Sequence, residues 1–154
     1  MAKYLEKNSN LIQNKSCIEL GSGTGLTGIA ASQLGAQSVL LTDYYDLNLL
    51  EKNVKENTSS NTSVKSLEWS KGRNDFGKFD VILGSDIIYD SFILVSLYDT
   101  ILSLSHEKTQ VFLSCDDHWP LLIKKFMDLA SKDFYVKKVI YKFLLKLSYN
   151  TLGS

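Results

Sequence analysis

The segment Glu19-Leu20-Gly21-Ser22-Gly23-Thr24-Gly25 sets a carboxylate two residues ahead of three alternating glycines. Glycine permits positive φ and lets a ligand approach the backbone with no Cβ in the way. Three of them exceed what a bare strand–helix turn requires. Gly23-Thr24-Gly25-Leu26-Thr27-Gly28 also satisfies the GxGxxG dinucleotide spacing, and Asp43 follows Gly23 by 20 residues. A carboxylate at that distance accepts both hydroxyls of a ribose, which suits NAD and S-adenosylmethionine equally. Two features favour the second ligand. Glu19 would place a carboxylate inside the crevice, repelling a pyrophosphate but helping to hold a methionine ammonium, directly or through water. The chain also looks too short for the substrate domain that most dehydrogenases carry. No Gly-Lys-Ser/Thr follows the glycines, so a P-loop is excluded.

A second constellation is Gly84-Ser85-Asp86-Ile87-Ile88-Tyr89-Asp90, directly after the apolar run 79–83. If that run is a strand beside the first one, Asp86 and Tyr89 face the same crevice as Glu19. An acid and a phenol there suit chemistry on an amine. The plainer alternative is that Asp86 ends the strand and Tyr89 packs under a loop. Cys115-Asp116-Asp117-His118-Trp119 either rims the substrate channel or, the favoured reading, supplies an aspartate cap for a helix with Pro120 in its first turn.

These residues need elements to hold them. Leu26, Ile29, Ala30 and Leu34 recur at helix spacing within 24–34, and Gly35 supplies a C-terminal cap. The same period predicts helices over 46–56, 91–105 and 118–131, and residues 1–7 form a short one. Strands are expected at 16–20, 39–42, 63–67, 79–83 and 110–114, with a closing hairpin from 134–141 and 143–149. Residues 8–15, 58–62 and 70–78 read as loops. Strands alternating with helices imply βαβ units on a doubly wound, mostly parallel α/β sheet. In such sheets ligands lie beyond the carboxyl ends of the strands, at the switch point beside the first.

The composition is that of one soluble domain. The chain has 154 residues, 17 basic against 17 acidic, with 44% apolar and 22% charged. Zero formal charge argues against a nucleic-acid scaffold, and the apolar content argues against disorder. No run approaches the roughly 20 apolar residues of a membrane helix, and the first ten residues lack the apolar core of a signal peptide. Cys17 and Cys115 sit in separate apolar runs and read as buried free thiols in a reducing, cytoplasmic or nuclear compartment. His106 and His118 have no metal-ligand partners at useful spacing and read as surface residues, so no metal site is expected. Lys124-Lys125 and Lys137-Lys138 read as solvated faces, and the aromatics near the C-terminus as core.

ELGSGTGLTGIAASQLGA, the acid of Thr42-Asp43, Leu67-Glu68-Trp69 and FDVILGSDIIYD at 79–90 together resemble the seven-β-strand, class I protein lysine methyltransferases of family 16, the methyltransferase-like 21 group. The likeness runs from about residue 2 to about 141. It implies a Rossmann-like fold with a C-terminal antiparallel hairpin, S-adenosylmethionine as cofactor, and a protein acceptor such as a chaperone or translation factor. It further implies that Gly21, Ser22 and Gly23 line the methionine part of the cofactor, Asp43 its ribose and Trp69 its adenine, with Ser85 beside it. The DxxY motif of the family falls on Asp86 and Tyr89, the expected catalytic pair. The segment before the glycine loop is short for the family. It lacks the tryptophan that covers the cofactor, since Trp69 and Trp119 both lie downstream, so either the chain is a trimmed form or its pocket is more open and binds more weakly. A monomeric, single-domain methyltransferase over 1–154 acting on a non-histone protein lysine is the resulting expectation. A non-catalytic binding module of the same shape, a small-molecule N-methyltransferase and an NAD-dependent reductase stay open beside it.

Overall fold

A computed structural model of the chain describes residues 1–69, 75–115, 118–139 and 144–150. Its strands are β1 (Ser16–Leu20), β2 (Ser38–Asp43), β3 (Thr62–Ser66), β4 (Phe79–Ser85), β5 (Ser105–Ser114), β6 (Phe134–Val139) and β7 (Leu144–Tyr149). The helices are α1 (Ala2–Lys7), α2 (Leu26–Gln33), α3 (Asn48–Asn57), α4 (Leu94–Leu104) and α5 (Pro120–Ala130). The sheet order is β3-β2-β1-β4-β5-β7-β6. The first five of those strands pair in parallel; β7 lies antiparallel between β5 and β6. The expected terminal hairpin is therefore present and adds antiparallel pairing at one edge of the sheet, with β6 outermost.

Side chains alternate across each strand with a period of two. Ile18, Leu40, Ile82, Val111, Leu145 and Leu147 pack on one face against Leu97, Ile101 and Leu104 of α4 and Phe126 of α5. Cys17, Val39, Leu41, Val81, Leu83 and Phe112 pack on the other against Leu5 of α1, Ala31 of α2 and Leu50 of α3. A sheet covered on both faces explains why its central strands read as unbroken apolar runs. Cys17 and Cys115 are both buried free thiols, and burial pushes each up to about 12.

Several boundaries differ from the periodicity. The helix expected over 91–105 is a 3₁₀ turn at Ser91–Ile93 followed by α4, and Ser105 already begins β5. β5 thus has 10 residues instead of the expected five. Its polar first half is held by Thr109, whose hydroxyl donates to the Phe79 carbonyl at 2.6 Å and accepts from the His106 N–H at 2.8 Å. Those bonds sit where the β4–β5 register shifts, between Phe79 and Val81. Hydroxyl-mediated pairing of this kind leaves no apolar period to read. The segment 8–15, expected to be a polar loop, contains a 3₁₀ turn and the fully buried Ile12. α5 begins from Trp119 with no side-chain cap, so no aspartate occupies the capping position; Asp116 and Asp117 lie outside the described residues. Tyr135 is 67% exposed rather than core, because it sits on an outer strand of the sheet. Tyr141 and Phe143 lie outside the described residues, as do residues 70–74 of the expected 70–78 loop. His106 faces Asp80 at 3.4 Å.

Candidate active site

The parallel register brings the functional loops together. Leu20 of β1 lies level with Thr42 of β2 and with Gly84 of β4. The residues that follow, Gly21, Asp43 and Ser85, therefore emerge at one edge of the sheet. This is the crevice beyond the strand ends where doubly wound folds bind ligands.

The glycine loop is stitched to β2. The Ser22 N–H donates to the Thr42 carbonyl at 2.9 Å, and the Gly25 N–H closes a turn onto the Ser22 carbonyl at 2.8 Å. The Ser22 hydroxyl donates to the Glu19 carbonyl and accepts from the Thr42 N–H, while the Thr42 hydroxyl donates to the same Glu19 carbonyl at 2.7 Å. Ser22, expected beside the cofactor, thus has its side chain buried in this stitching. The Gly23 N–H donates to Asp43 Oδ2 at 2.8 Å, and the Tyr44 N–H donates to Asp43 Oδ1 at 2.7 Å. Two backbone donors fix the carboxylate in place and leave each oxygen a further acceptor direction. Gly21 has φ +61°, and a Cβ on it would lie 2.8 Å from Ile87 Cγ2 and 3.5 Å from Trp69 Cζ2. Only glycine lets the loop approach these two side chains in that conformation.

Glu19 sits differently from the expectation. It is 2% exposed, and its Oε2 accepts the Gly28 N–H at 2.9 Å. Burial raises its pKa to about 7, against the lowering pull of bonds from Gly28, Ser22 and Thr27 and with a small further push from the Asp43 charge. The carboxylate lies behind the glycine loop and braces it against α2, instead of standing open in the crevice beside Asp86 and Tyr89.

The segment after β4 is held by its middle. Ile87 and Ile88 are buried, the Asp86 N–H donates to the Ser114 carbonyl at 2.8 Å, and the Ser85 hydroxyl meets that of Thr27 at 3.3 Å. Asp86 is exposed and adopts φ +56°, a conformation uncommon outside glycine and concentrated at functional sites. Tyr89 is 56% exposed, so it does not pack under a loop. A cleft of about 440 Å³ opens here, lined by Gly21, Asp43, Trp69, Ser85, Asp86 and Tyr89 among the predicted residues. Ser22, Gly23 and Glu19 are not on its wall, though a Cβ at Gly23 would meet nothing within 4 Å.

Tyr44, Tyr45 and Phe92 also line the cleft and were not legible as site residues. The available signal was two aromatics directly after a strand-ending acid, and one three residues past Tyr89. The lining carries three carboxylates, Asp43, Glu68 and Asp86, and no Lys, Arg or His among the described residues. A fixed acid at the end of β2, open glycine backbone, an indole against Gly21 and the exposed carboxylate of Asp86 fit a cationic nucleoside such as S-adenosylmethionine. They do not fit the pyrophosphate of NAD. Among the described residues, no group of three or more His, Cys, Asp or Glu is placed to hold a metal ion, and no helix is long and apolar enough to cross a membrane.

Comparison with known proteins agrees with this chemistry. The chain is 39% identical over 150 residues to the protein N-lysine methyltransferase METTL21A of Xenopus tropicalis, covering 92% of this chain and 67% of that protein. It is 38% identical over 115 residues to EEF1A lysine methyltransferase 3 of the same organism, covering 72% of this chain and 51% of that one. Among solved structures, ribosomal protein L11 methylase from Lactobacillus delbrueckii subsp. bulgaricus superposes with a TM-score of 0.72 at 26% identity, over 95% of this chain and 74% of that one. The PH0226 protein of Pyrococcus horikoshii shares the fold at a TM-score of 0.76 and 13% identity, over 96% and 90% of the two chains. The family profile described as "Lysine methyltransferase" matches residues 1–133, and the chain belongs to that family.

Proposed function

We propose that this chain transfers a methyl group from S-adenosylmethionine to the side-chain amine of a lysine in a non-histone protein. The observation that carries the reading is the meeting of Asp43, Asp86 and Tyr89 in one cleft at the level ends of β1, β2 and β4. When bound, the cofactor supplies an electrophilic methyl on a sulfonium. Everything else is asked of the protein. Asp43, fixed by the Gly23 and Tyr44 N–H groups, accepts from the ribose hydroxyls. Gly21 lets Trp69 close on the nucleoside. Asp86 draws in the lysine and accepts an N–H from it, orienting its nitrogen toward the methyl. Tyr89 walls the channel and offers its ring face to the cation that forms.

A lysine ammonium has a pKa of about 10.4 and cannot attack. A carboxylate beside it favours the charged form, so Asp86 is an orienting acceptor and not the source of the neutral amine. The proton leaves through the open mouth of the cleft to solvent, helped by a neighbouring sulfonium that disfavours a second positive charge. Methyllysine and S-adenosylhomocysteine leave. Alignment of nitrogen and methyl supplies the bulk of the acceleration.

We further read the acceptor as a chaperone or translation factor; the relative named for EEF1A supports the second. One continuous sheet supports a single domain, and two buried free thiols suit a reducing compartment such as the cytoplasm. The test is mass spectrometry of extract proteins after incubation with the chain and labelled donor. Asp86→Ala is expected to lower transfer about 100-fold while calorimetric affinity for S-adenosylmethionine stays within about twofold. Undiminished transfer removes Asp86 from the mechanism. Binding of NAD instead of S-adenosylmethionine overturns the cofactor assignment.

A further inference from the structure

We propose that Phe92 is the docking point for an apolar side chain next to the methylated lysine, so that the acceptor is a lysine with an aliphatic or aromatic neighbour and no adjacent acid. The inference rests on the cleft being the methyl-transfer site. Phe92 is 89% exposed, yet it is not on a loose segment. It occupies the 3₁₀ turn Ser91–Ile93, where its N–H donates to the Asp90 side chain at 2.9 Å, and the next residue but one, Leu94, is buried in the core. The turn therefore holds the ring outward by its backbone.

Isolated exposed apolar residues are common and need no explanation. Here the spacing and the place argue otherwise. Tyr89, Phe92 and Val95 follow at intervals of three and are 56%, 89% and 57% exposed. Tyr89 and Phe92 line the same cleft as Asp86, so this ridge continues the surface on which the lysine must lie. Buried aromatic anchors dominate recognition surfaces of this kind. The charges select the same partner. Asp43 and Asp86 line the cleft, where no Lys, Arg or His stands among the described residues, and Asp90 lies two positions before Phe92. A lysine is attracted into that field, and an acidic neighbour beside it is repelled.

The test compares wild type, Phe92→Ser and Phe92→Leu with intact proteins of a eukaryotic extract as acceptors and labelled S-adenosylmethionine as donor. Phe92→Ser is expected to lower label incorporation at limiting acceptor by about 10- to 100-fold, the loss of one buried aromatic contact, and Phe92→Leu to restore most of it. Donor affinity, read by calorimetry, is expected to be equal in all three. Mapped sites are expected to carry an aliphatic or aromatic residue within three positions of the lysine. Equal labelling by Phe92→Ser, or sites flanked by acids, overturns the docking role and leaves methyl transfer to lysine standing. A fall in donor affinity assigns Phe92 to the donor pocket and also overturns it. No labelling of protein by wild type removes the lysine-transfer reading and this inference with it.

Discussion

At the residue scale, Glu19 is the group whose surroundings most change its chemistry. Its carboxyl titrates near 4.5 in an unfolded chain and about 7 when buried behind the glycine loop. Between those values the folded chain holds more protons than the unfolded one, so stability is full below about pH 4.5 and declines as pH rises toward 7. That rise in pKa corresponds to roughly 3 kcal/mol. Glu19→Gln removes the titration but keeps an oxygen to accept the Gly28 N–H. Denaturant unfolding at pH 4.5 and 7.5 is expected to show wild type losing about 3 kcal/mol more than Glu19→Gln across that window. Equal losses mean the carboxyl is not held in the protonated form. The sequence named Glu19 and even its neighbours in the loop. It could not tell a carboxylate open to a ligand from one sealed beneath it, because burial of a side chain depends on what α2 and β2 place above it.

The elements carry a second consequence of the same contact. Gly28 lies inside α2, where alanine is the better helix former by about 1 kcal/mol. A Cβ there would stand 2.6 Å from Leu41 Cγ and 2.9 Å from Glu19 Oε2, closer than real contacts allow. Overpacking of this kind costs about 1–3 kcal/mol, so Gly28→Ala is expected to destabilise despite its helix propensity. Chemical denaturation checks the sign: a more stable variant shows that α2 shifts freely on β1 and β2. The third glycine of the GxGxxG spacing thus serves close helix–sheet packing. The 3₁₀ turn at 91–93 was not legible, since Phe92 and Val95 fit a helical period while facing solvent, and the polar start of β5 was not, since the Thr109 hydroxyl holds it without an apolar period. Periodicity registers that an apolar face exists and not whether anything covers it.

Across the whole molecule, the hairpin closes the sheet at a distance from the chemistry. Leu147 of β7 is fully buried, opposite Val111 of β5 and Val136 of β6. Leu147→Ala is expected to cost about 2–5 kcal/mol and to lower the melting temperature by about 4–20 °C for a domain of this size. Affinity for S-adenosylmethionine below the transition is expected to stay unchanged, because the cleft is built from β1, β2 and β4. A proportionate loss of affinity in the folded state shows that the hairpin positions the site. Tyr98 of α4, donating to Asp133 just before β6, ties the same end of the sheet to the helical layer that packs under the DxxY segment.

Residue type and spacing determined the alternation of strands and helices, the glycine loop, the acid 20 residues beyond Gly23 and the Asp86/Tyr89 pair. Each of those is written in local order, as a period, a φ requirement or a fixed offset along one chain. What tertiary structure decided is which side chains share a cavity. The level ends of β1, β2 and β4 bring Asp43 to Asp86 and Tyr89, add Tyr44, Tyr45 and Phe92 to the same wall, and withdraw Glu19 and the Ser22 hydroxyl into the core. Strand register is a pairing between distant segments, and the burial it creates belongs to no single stretch of sequence.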